Sequence, residues 1–340
     1  MEHLGLLGLA DSGHAALFAA LTGQDASTSS ERLLGMVNIP DHRLDALAAM
    51  SESKQVVPAT LQLAYLPGLS TEAGKGLGSR LLGSVRDGDA LMLVVRADDG
   101  HEPARELASL EEELILADLG SVESRVAKQR RAAKGDKSLL PEVAALERAE
   151  AVLSDGTPIY RAGMSADDQA LLAPAFLLTN KPALVVVNIG TDQLDTANTL
   201  AAPFGEDAIA VCLELEGDPD VVAAHGEERA QLLADLGIPE SVVPRVARAA
   251  LHLLGRDTFL TTGDKESRAW TFRSGSTAPE CAGVIHSDLQ RGFIRAEIID
   301  WEALLAIGSW AKAKEAGALR VEGKDYVVRD GDVLEIRFNV

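Results

Sequence analysis

At 340 residues the chain is too long for one small core and long enough for two or three modules, each burying its own apolar face. With 46% hydrophobic residues and both charge signs well represented it falls in the globular class, and its apolar runs stop short of the roughly 18 residues a membrane span needs. A formal net charge of −20 excludes wholesale wrapping by nucleic acid, because a uniformly negative surface repels phosphate.

In chain order, residues 3–10 predict a short buried strand, followed by a loop and an apolar helix over 15–21. Further short apolar runs at 61–66, 90–95, 183–187 and 208–213 are separated by helical patterns such as 79–85. Strands alternating with helices predict an α/β fold with a mostly parallel sheet. Between 105 and 153 the period changes: Leu107, Leu110, Leu114 and Ala117 recur at three- and four-residue spacing, and Val143, Leu146 and Leu153 follow a basic, glycine-containing stretch. That pattern predicts two helices folded back on each other, with the leucine stripe as the hairpin's own core. Strand signals resume only at Ala183, so the hairpin is an insertion, bounded by the Gly156, Pro158 and Pro174 region. The last segment alternates at 283–286 and 293–299 and ends with Asp330-Gly331, a hairpin signal. Only Cys212 and Cys281 are present and the N-terminus lacks a basic leader, which points to a reducing cytoplasm.

Several stretches resemble a known family. Arg268-Ala-Trp-Thr, Ser276-Thr-Ala-Pro, the run from Gly283 through Ser287-Asp-Leu-Gln-Arg-Gly-Phe-Ile-Arg-Ala-Glu297, Gly323-Lys-Asp-Tyr-Val-Val-Arg-Asp-Gly-Asp-Val333 and Arg337-Phe-Asn-Val look like the C-terminal TGS-type domain of YchF proteins, P-loop GTPases of the Obg superfamily. The likeness continues through Ile115-Leu-Ala-Asp-Leu-Gly-Ser-Val-Glu-Ser-Arg125, Gly76-Leu-Gly-Ser-Arg-Leu-Leu82 and Pro40-Asp-His-Arg-Leu-Asp-Ala-Leu47, so it spans essentially the whole chain. It implies a discontinuous G domain over 1–104 and 180–255, a helical hairpin inserted over 105–179, and a β-grasp-like TGS-type domain over 256–340.

A P-loop needs two glycines for the backbone cradle, a Lys for phosphate charge and a Ser or Thr for Mg²⁺. The stretch Gly8-Leu-Ala-Asp11-Ser12-Gly13-His14-Ala15 keeps both glycines at the strand-to-helix junction, with His14 in place of Lys and Ala15 in place of Ser or Thr. The Asp-x-x-Gly turn is replaced by Tyr65-Leu-Pro-Gly68, and Leu69 resembles the family's hydrophobic residue beside it. The switch-one region, 26–35, has Thr28 and several serines without matching the family's motif Thr. Base recognition, which in the family resembles Asn-x-x-Glu, reads Asn188-Ile-Gly-Thr191, and the loop after it, Cys212-Leu213-Glu214, departs from Ser-Ala-Lys. Losing two or three hydrogen bonds to charged groups, each about 1.5 to 3 kcal/mol, weakens triphosphate binding by roughly 10³ to 10⁵.

The expectation is therefore a degenerate pocket in which GTP or ATP with Mg²⁺ binds weakly, with no catalytic residue and no metal ligand set. An imidazole beside phosphate has its pKa raised, so any residual affinity resting on His14 is expected to strengthen from about pH 8 to about pH 6. The bland alternative is a helix-start histidine making one local hydrogen bond. The basic run Arg125, Lys128, Arg130, Arg131, Lys134 and Lys137 is a candidate ribosome or RNA contact, weighed against a solvated helix tip. Ser70, Asp98 and His101 lack a nucleophile-elbow motif, the histidines at 101, 225, 252 and 286 lack metal spacing, and His286 is expected in terminal-domain packing. Three functions remain open: a pseudo-GTPase scaffold associated with ribosome or RNA through the hairpin tip and terminal domain, a divergent ATPase or GTPase recruiting Lys75 or Arg80, and a protein-binding regulator acting through the terminal domain.

Overall fold

A computed structural model describes residues 3–68, 83, 85, 86, 88–98, 100–224 and 226–339. The glycine-rich stretch 76–82, Leu69, Ser70, Lys75, Arg80, His225 and most of the helical pattern at 79–85 lie outside the described residues. Two compact units divide the chain, one of residues 1–37 and 62–253, the other of residues 38–61 and 254–340.

In the first unit lies a six-stranded sheet formed by β1 (His3–Gly8), β2 (Leu33–Ile39), β4 (Ala59–Tyr65), β5 (Ala90–Arg96), β6 (Ala183–Asn188) and β7 (Ile209–Val211), in the order β2-β4-β1-β5-β6-β7. β1 runs parallel to both β4 and β5, and β5, β6 and β7 continue in parallel. Central parallel strands are covered on both faces, which is why β5 reads as an unbroken apolar run and buries every residue from Ala90 to Val95. Helix α1 (His14–Thr22) follows β1 after a five-residue loop and buries Leu17 and Phe18. Strand carboxyl ends therefore gather Gly8, Tyr65, Arg96, Asn188 and Val211 along one edge of the sheet, the usual place for a ligand crevice in an open α/β fold.

The insertion consists of a 30-residue helix, Pro103–Ala132, and a returning helix, Leu140–Ser154. Its leucine stripe serves two cores. Leu107, Leu110 and Leu114 pack with Leu91, Leu93 and Leu7 of the sheet, correcting the expectation of a purely internal hairpin core. From Ile115 onward the other face, with Val122 and Val126, packs with Ala145, Leu146, Ala149 and Leu153 of the second helix. Asp118, fully buried between these halves, accepts hydrogen bonds from the Leu178 and Thr179 amides at 2.9 and 2.7 Å and from the Thr179 hydroxyl at 2.8 Å. One carboxylate thus ties the end of the insertion back to its first helix.

The second unit holds another six-stranded sheet, with β3 (Gln55–Val57), β8 (Arg256–Thr261), β9 (Glu266–Arg273), β10 (Phe293–Asp300), β11 (Arg320–Glu322) and β12 (Asp332–Phe338) in the order β11-β10-β12-β8-β9-β3. Its core contains Phe259, Phe272, Cys281, Phe293, Ile298 and Leu334. Residues 38–61, placed by sequence within the α/β module, pack in this unit: β3 pairs with β9, and helix α2 (His42–Met50) is held through Arg43. The Arg43 guanidinium reaches Asp330 at 2.6 Å, the Thr258 hydroxyl at 2.8 Å and Asp41 at 2.7 Å.

Three local expectations are corrected here. Asp330-Gly331 makes a turn, with Gly331 at φ 84, but no hairpin: the chain before it is not a strand, and Asp330 instead accepts from Thr258 while β12 pairs with β10 and β8. Residues 283–285, read as alternating, close the helix Ala278–Ile285, whose start is set by a Thr277/Glu280 capping box. His286 is not core; its exposed ring accepts from the Asp288 amide and caps the next short helix, Ser287–Arg291. Among the described residues no helix is long and apolar enough to cross a membrane.

Candidate functional site

Between β1 and α1 the chain turns through Leu9 to Ser12, closed by a 3.1 Å bond from the Ser12 amide to the Leu9 carbonyl. Asp11, exposed, takes a left-handed conformation at φ 67, and Gly13 at φ 89 caps the helix. A Cβ on Gly13 would lie 2.5 Å from the Asn188 amide nitrogen, so glycine is required by contact as well as by conformation. The strand, glycine turn and helix predicted for 8–15 are all present, as is the convergence of that loop with the ends of β4 and β6.

Side chains fill the space over the first glycine. A Cβ on Gly8 would stand 2.1 Å from Ser12 Oγ and 2.9 Å from His14 Nδ1. Ser12 is fully buried and His14 is 4% exposed. His14 Nε2 lies 3.1 Å from the Leu66 carbonyl oxygen, which only accepts, so Nε2 carries the proton; Nδ1 then accepts from the Ser12 hydroxyl at 3.0 Å. The ring stacks on Tyr65 with centroids 5.1 Å apart and planes 13° from parallel, and Phe18 tilts against the other partner, Tyr65, at 5.5 Å. From the β4 side Gly68 closes in, its Cβ position 3.0 Å from Ala10 Cα and 3.1 Å from His14 Cε1.

This environment inverts the electrostatic expectation for His14. Burial disfavours the charged imidazole and lowers its pKa to about 4, outweighing the Leu66 hydrogen bond that favours it. At neutral pH the residue is an uncharged spacer with both nitrogens satisfied, and titration between pH 8 and 6 is not available to it. Burial also raises the pKa of Tyr65, so the residue at the Asp-x-x-Gly aspartate's place carries no charge either.

Asn188 connects the loop to the rest of the crevice. Its amide donates to the Ser12 carbonyl at 3.2 Å and its carbonyl accepts the Leu213 amide at 3.1 Å. Cys212 and Leu213 are buried beside it, with burial pushing the Cys212 thiol pKa up. Thr191 is brought to the same edge but is exposed at the start of the short 3-10 helix Thr191–Thr196. Ala15 is half-buried in the first turn of α1, and Thr28 is exposed in a turn before β2. Asp98 and His101 do not pair: Asp98 binds Arg96, while His101 Nδ1 lies 2.7 Å from Glu106. The Leu66 carbonyl was the site group missed in the sequence, because a backbone acceptor leaves no mark in residue identity.

A triphosphate with Mg²⁺ needs open amides over Gly8, a cation at position 14 and a hydroxyl or carboxylate for the metal. The residues present do not fit it: side chains occupy the cradle, and His14, Ala15 and Tyr65 supply neither the charge nor the metal ligand. What remains is the helix N-terminus with its partial positive charge, worth about 1 kcal/mol toward an anion.

The hairpin's basic residues separate into two groups. Arg125 is held by Glu142 at 3.2 Å and by the Pro174 carbonyl at 2.8 Å, and Arg130 by Glu147 at 2.7 Å. Lys128, Arg131, Lys134 and Lys137 are exposed, and among the described residues none of them has a carboxylate within ion-pair reach.

A family model named YchF-GTPase_C, described as "Protein of unknown function (DUF933)", matches residues 257–339. Over their full lengths the chain is 38% identical to the ribosome-binding ATPase YchF of Bacillus subtilis and 37% identical to that of Haemophilus influenzae, covering 99% of both chains in each case. Its fold matches the structure of the Schizosaccharomyces pombe YchF GTPase with a TM-score of 0.84 at 26% identity, over 99% of this chain and 97% of that one.

Proposed function

We propose, from the premise that this chain belongs to the YchF family, that it is a ribosome-associated scaffold whose nucleotide pocket has closed on itself and lost efficient triphosphate hydrolysis. The observation that carries this reading is the buried chain from the Ser12 hydroxyl through a neutral His14 to the Leu66 carbonyl, which takes up the volume and the hydrogen bonds a phosphate would use. Phosphoryl transfer depends almost wholly on positioning and on positive charge, and this pocket offers a neutral wall instead. Gly8, Asp11, Ser12, Gly13, His14, Ala15, Gly68, Asn188, Thr191, Cys212 and Leu213 form that degenerate pocket in our reading.

Ribosome association comes from the relatives, which are named ribosome-binding ATPases, and is supported by Lys128, Arg131, Lys134 and Lys137, exposed cations without an ion-pair partner among the described residues on an otherwise acidic molecule. The inserted hairpin over 105–179 and a TGS-type domain over 256–340, joined here by residues 38–61, are the parts assigned to that contact; the protein is assigned to the cytoplasm, where ribosomes are. A second reading, a divergent ATPase, is favoured by the same relatives' names, since they are called ATPases.

Calorimetric titration with ATP, GTP and GDP, with and without Mg²⁺, separates the two. No heat at low-millimolar nucleotide is the expected outcome; micromolar binding, with Ser12 and His14 displaced, would establish the ATPase reading instead.

A further inference from the structure

We propose that the hairpin binds unpaired RNA in the groove between its first helix and residues 173–176, with phosphate on Lys128 and Ser124 and a base stacked on Phe176. This rests on the reading of the chain as ribosome-associated and names the chemistry of the partner.

Phe176 is the most exposed large apolar side chain described, at 63%, and it stands in the left-handed region at φ 51. A bulky residue rarely adopts that conformation, and it persists only where the surroundings enforce it. Two guanidinium groups do so here. Arg86 Nη1 donates to the Phe176 carbonyl at 3.4 Å while its Nη2 holds Ser121 Oγ and the Ala117 carbonyl; Arg125 Nη1 donates to the Pro174 carbonyl at 2.8 Å. The ring is thus presented to solvent by a clamped backbone, a costly arrangement for a side chain with nothing to cover.

Beside it lies a cavity of about 330 Å³ lined by Ser121, Ser124, Arg125, Lys128, Gln129 and Ala175, the residue preceding Phe176. Ser124, Lys128 and Arg131 follow one another at i, i+4 and i+7 and so share one face of the helix. Arg125 is already engaged by Glu142, which among the described residues leaves Lys128 and Arg131 as the cations on this face open to an anion. The combination of an exposed aromatic on a clamped backbone, exposed cations and small polar groups suits a strand whose bases are unstacked: the ring face takes any base and the cations track the backbone. A protein partner would call for apolar neighbours around Phe176, whereas the groove offers hydroxyls, an amide and charge. Duplex RNA does not suit it, because its bases are already stacked.

The test is fluorescence anisotropy of the full-length protein with a labelled single-stranded oligoribonucleotide of about eight nucleotides and with a duplex of the same length, across a salt series. The single strand is expected to bind more tightly than the duplex. Phe176→Ala is expected to weaken binding roughly tenfold or more with an unchanged salt slope, Phe176→Trp to retain it, and Lys128→Ala to reduce the slope by about 0.7. A thermal melt of Phe176→Ala confirms that loss of binding is not loss of fold. Equal binding of single strand and duplex, or a Phe176→Ala protein that binds as the parent does, overturns the proposal. So does loss of ribosome cosedimentation by Phe176→Ala with oligonucleotide binding intact, which makes Phe176 a protein anchor. Cosedimentation of the unmutated protein tests the ribosome reading separately: its absence, with Phe176-dependent RNA binding present, sinks that reading and leaves this site standing.

Discussion

An imidazole held between a hydroxyl and a carbonyl, and stacked on a phenol ring, has no room for a charge. For His14 the folded pKa of about 4 lies below the 6.5 of an exposed histidine, so the unfolded chain binds the extra proton first. The sign follows: His14 leaves stability unaffected above about pH 6.5 and costs up to about 3 kcal/mol as pH falls through that value toward 4, the unfolded state gaining the proton the folded state refuses. Proton NMR of the His14 ring in the native protein is expected to show no titration between pH 8 and 6. A midpoint above 6 would mean that the ring is solvated and that the Ser12–His14–Leu66 chain is open in solution. The histidine in the lysine's place was plain from sequence, but its protonation state depends on burial by Tyr65, Leu66 and Gly68, which lie more than 50 positions away in the chain.

At the scale of elements, the long helix Pro103–Ala132 links the sheet core to the hairpin core, and Asp118 sits at the changeover. Replacing it by Ala leaves two amides and a hydroxyl without acceptors in a fully buried place, a loss of about 3 kcal/mol at one to three per orphaned group after partial relaxation. Chemical denaturation of Asp118→Ala is expected to show that drop, with Asp118→Asn intermediate; a change under 1 kcal/mol would place water or another acceptor at the Leu178 and Thr179 amides. Heptad-like spacing over 107–117 predicted the helix correctly but not which core each leucine serves, because a helix face records only that something apolar covers it. The Asp330-Gly331 dipeptide shows the same limit: its turn chemistry is local and was read correctly, while strand pairing is decided by Arg43 and Thr258 far away in the chain.

For the molecule as a whole, the telling feature is that residues 38–61 belong with 254–340. Leu44 and Leu47 of α2 are buried at 2% and 0%, and β3 completes the edge beside β9. A fragment of 254–340 alone exposes the surface that α2 covers, whereas one that also carries 38–61 through a short linker keeps it covered. Thermal melts of the two fragments are expected to put the shorter one several degrees lower with more binding of a hydrophobic dye; equal melting would show that the C-terminal core of Phe259, Phe272 and Phe293 suffices.

Sequence by itself determined the α/β class, the strand–loop–helix at 3–21, the inserted hairpin and the family, because those rest on periodicity, glycine spacing and ordered motifs that local chemistry writes into the chain. It also pointed to His14, Ala15 and Tyr65 as departures from the family's phosphate- and metal-binding pattern. Only the tertiary structure decided that Ser12 and His14 fill the space over Gly8, that burial keeps His14 uncharged at neutral pH, that Lys128, Arg131, Lys134 and Lys137 have no carboxylate within ion-pair reach among the described residues, and that Phe176 faces solvent. The physical reason is common to all four: burial, ion pairing and proton affinity are set by partners distant in sequence, and residue identity alone does not carry them.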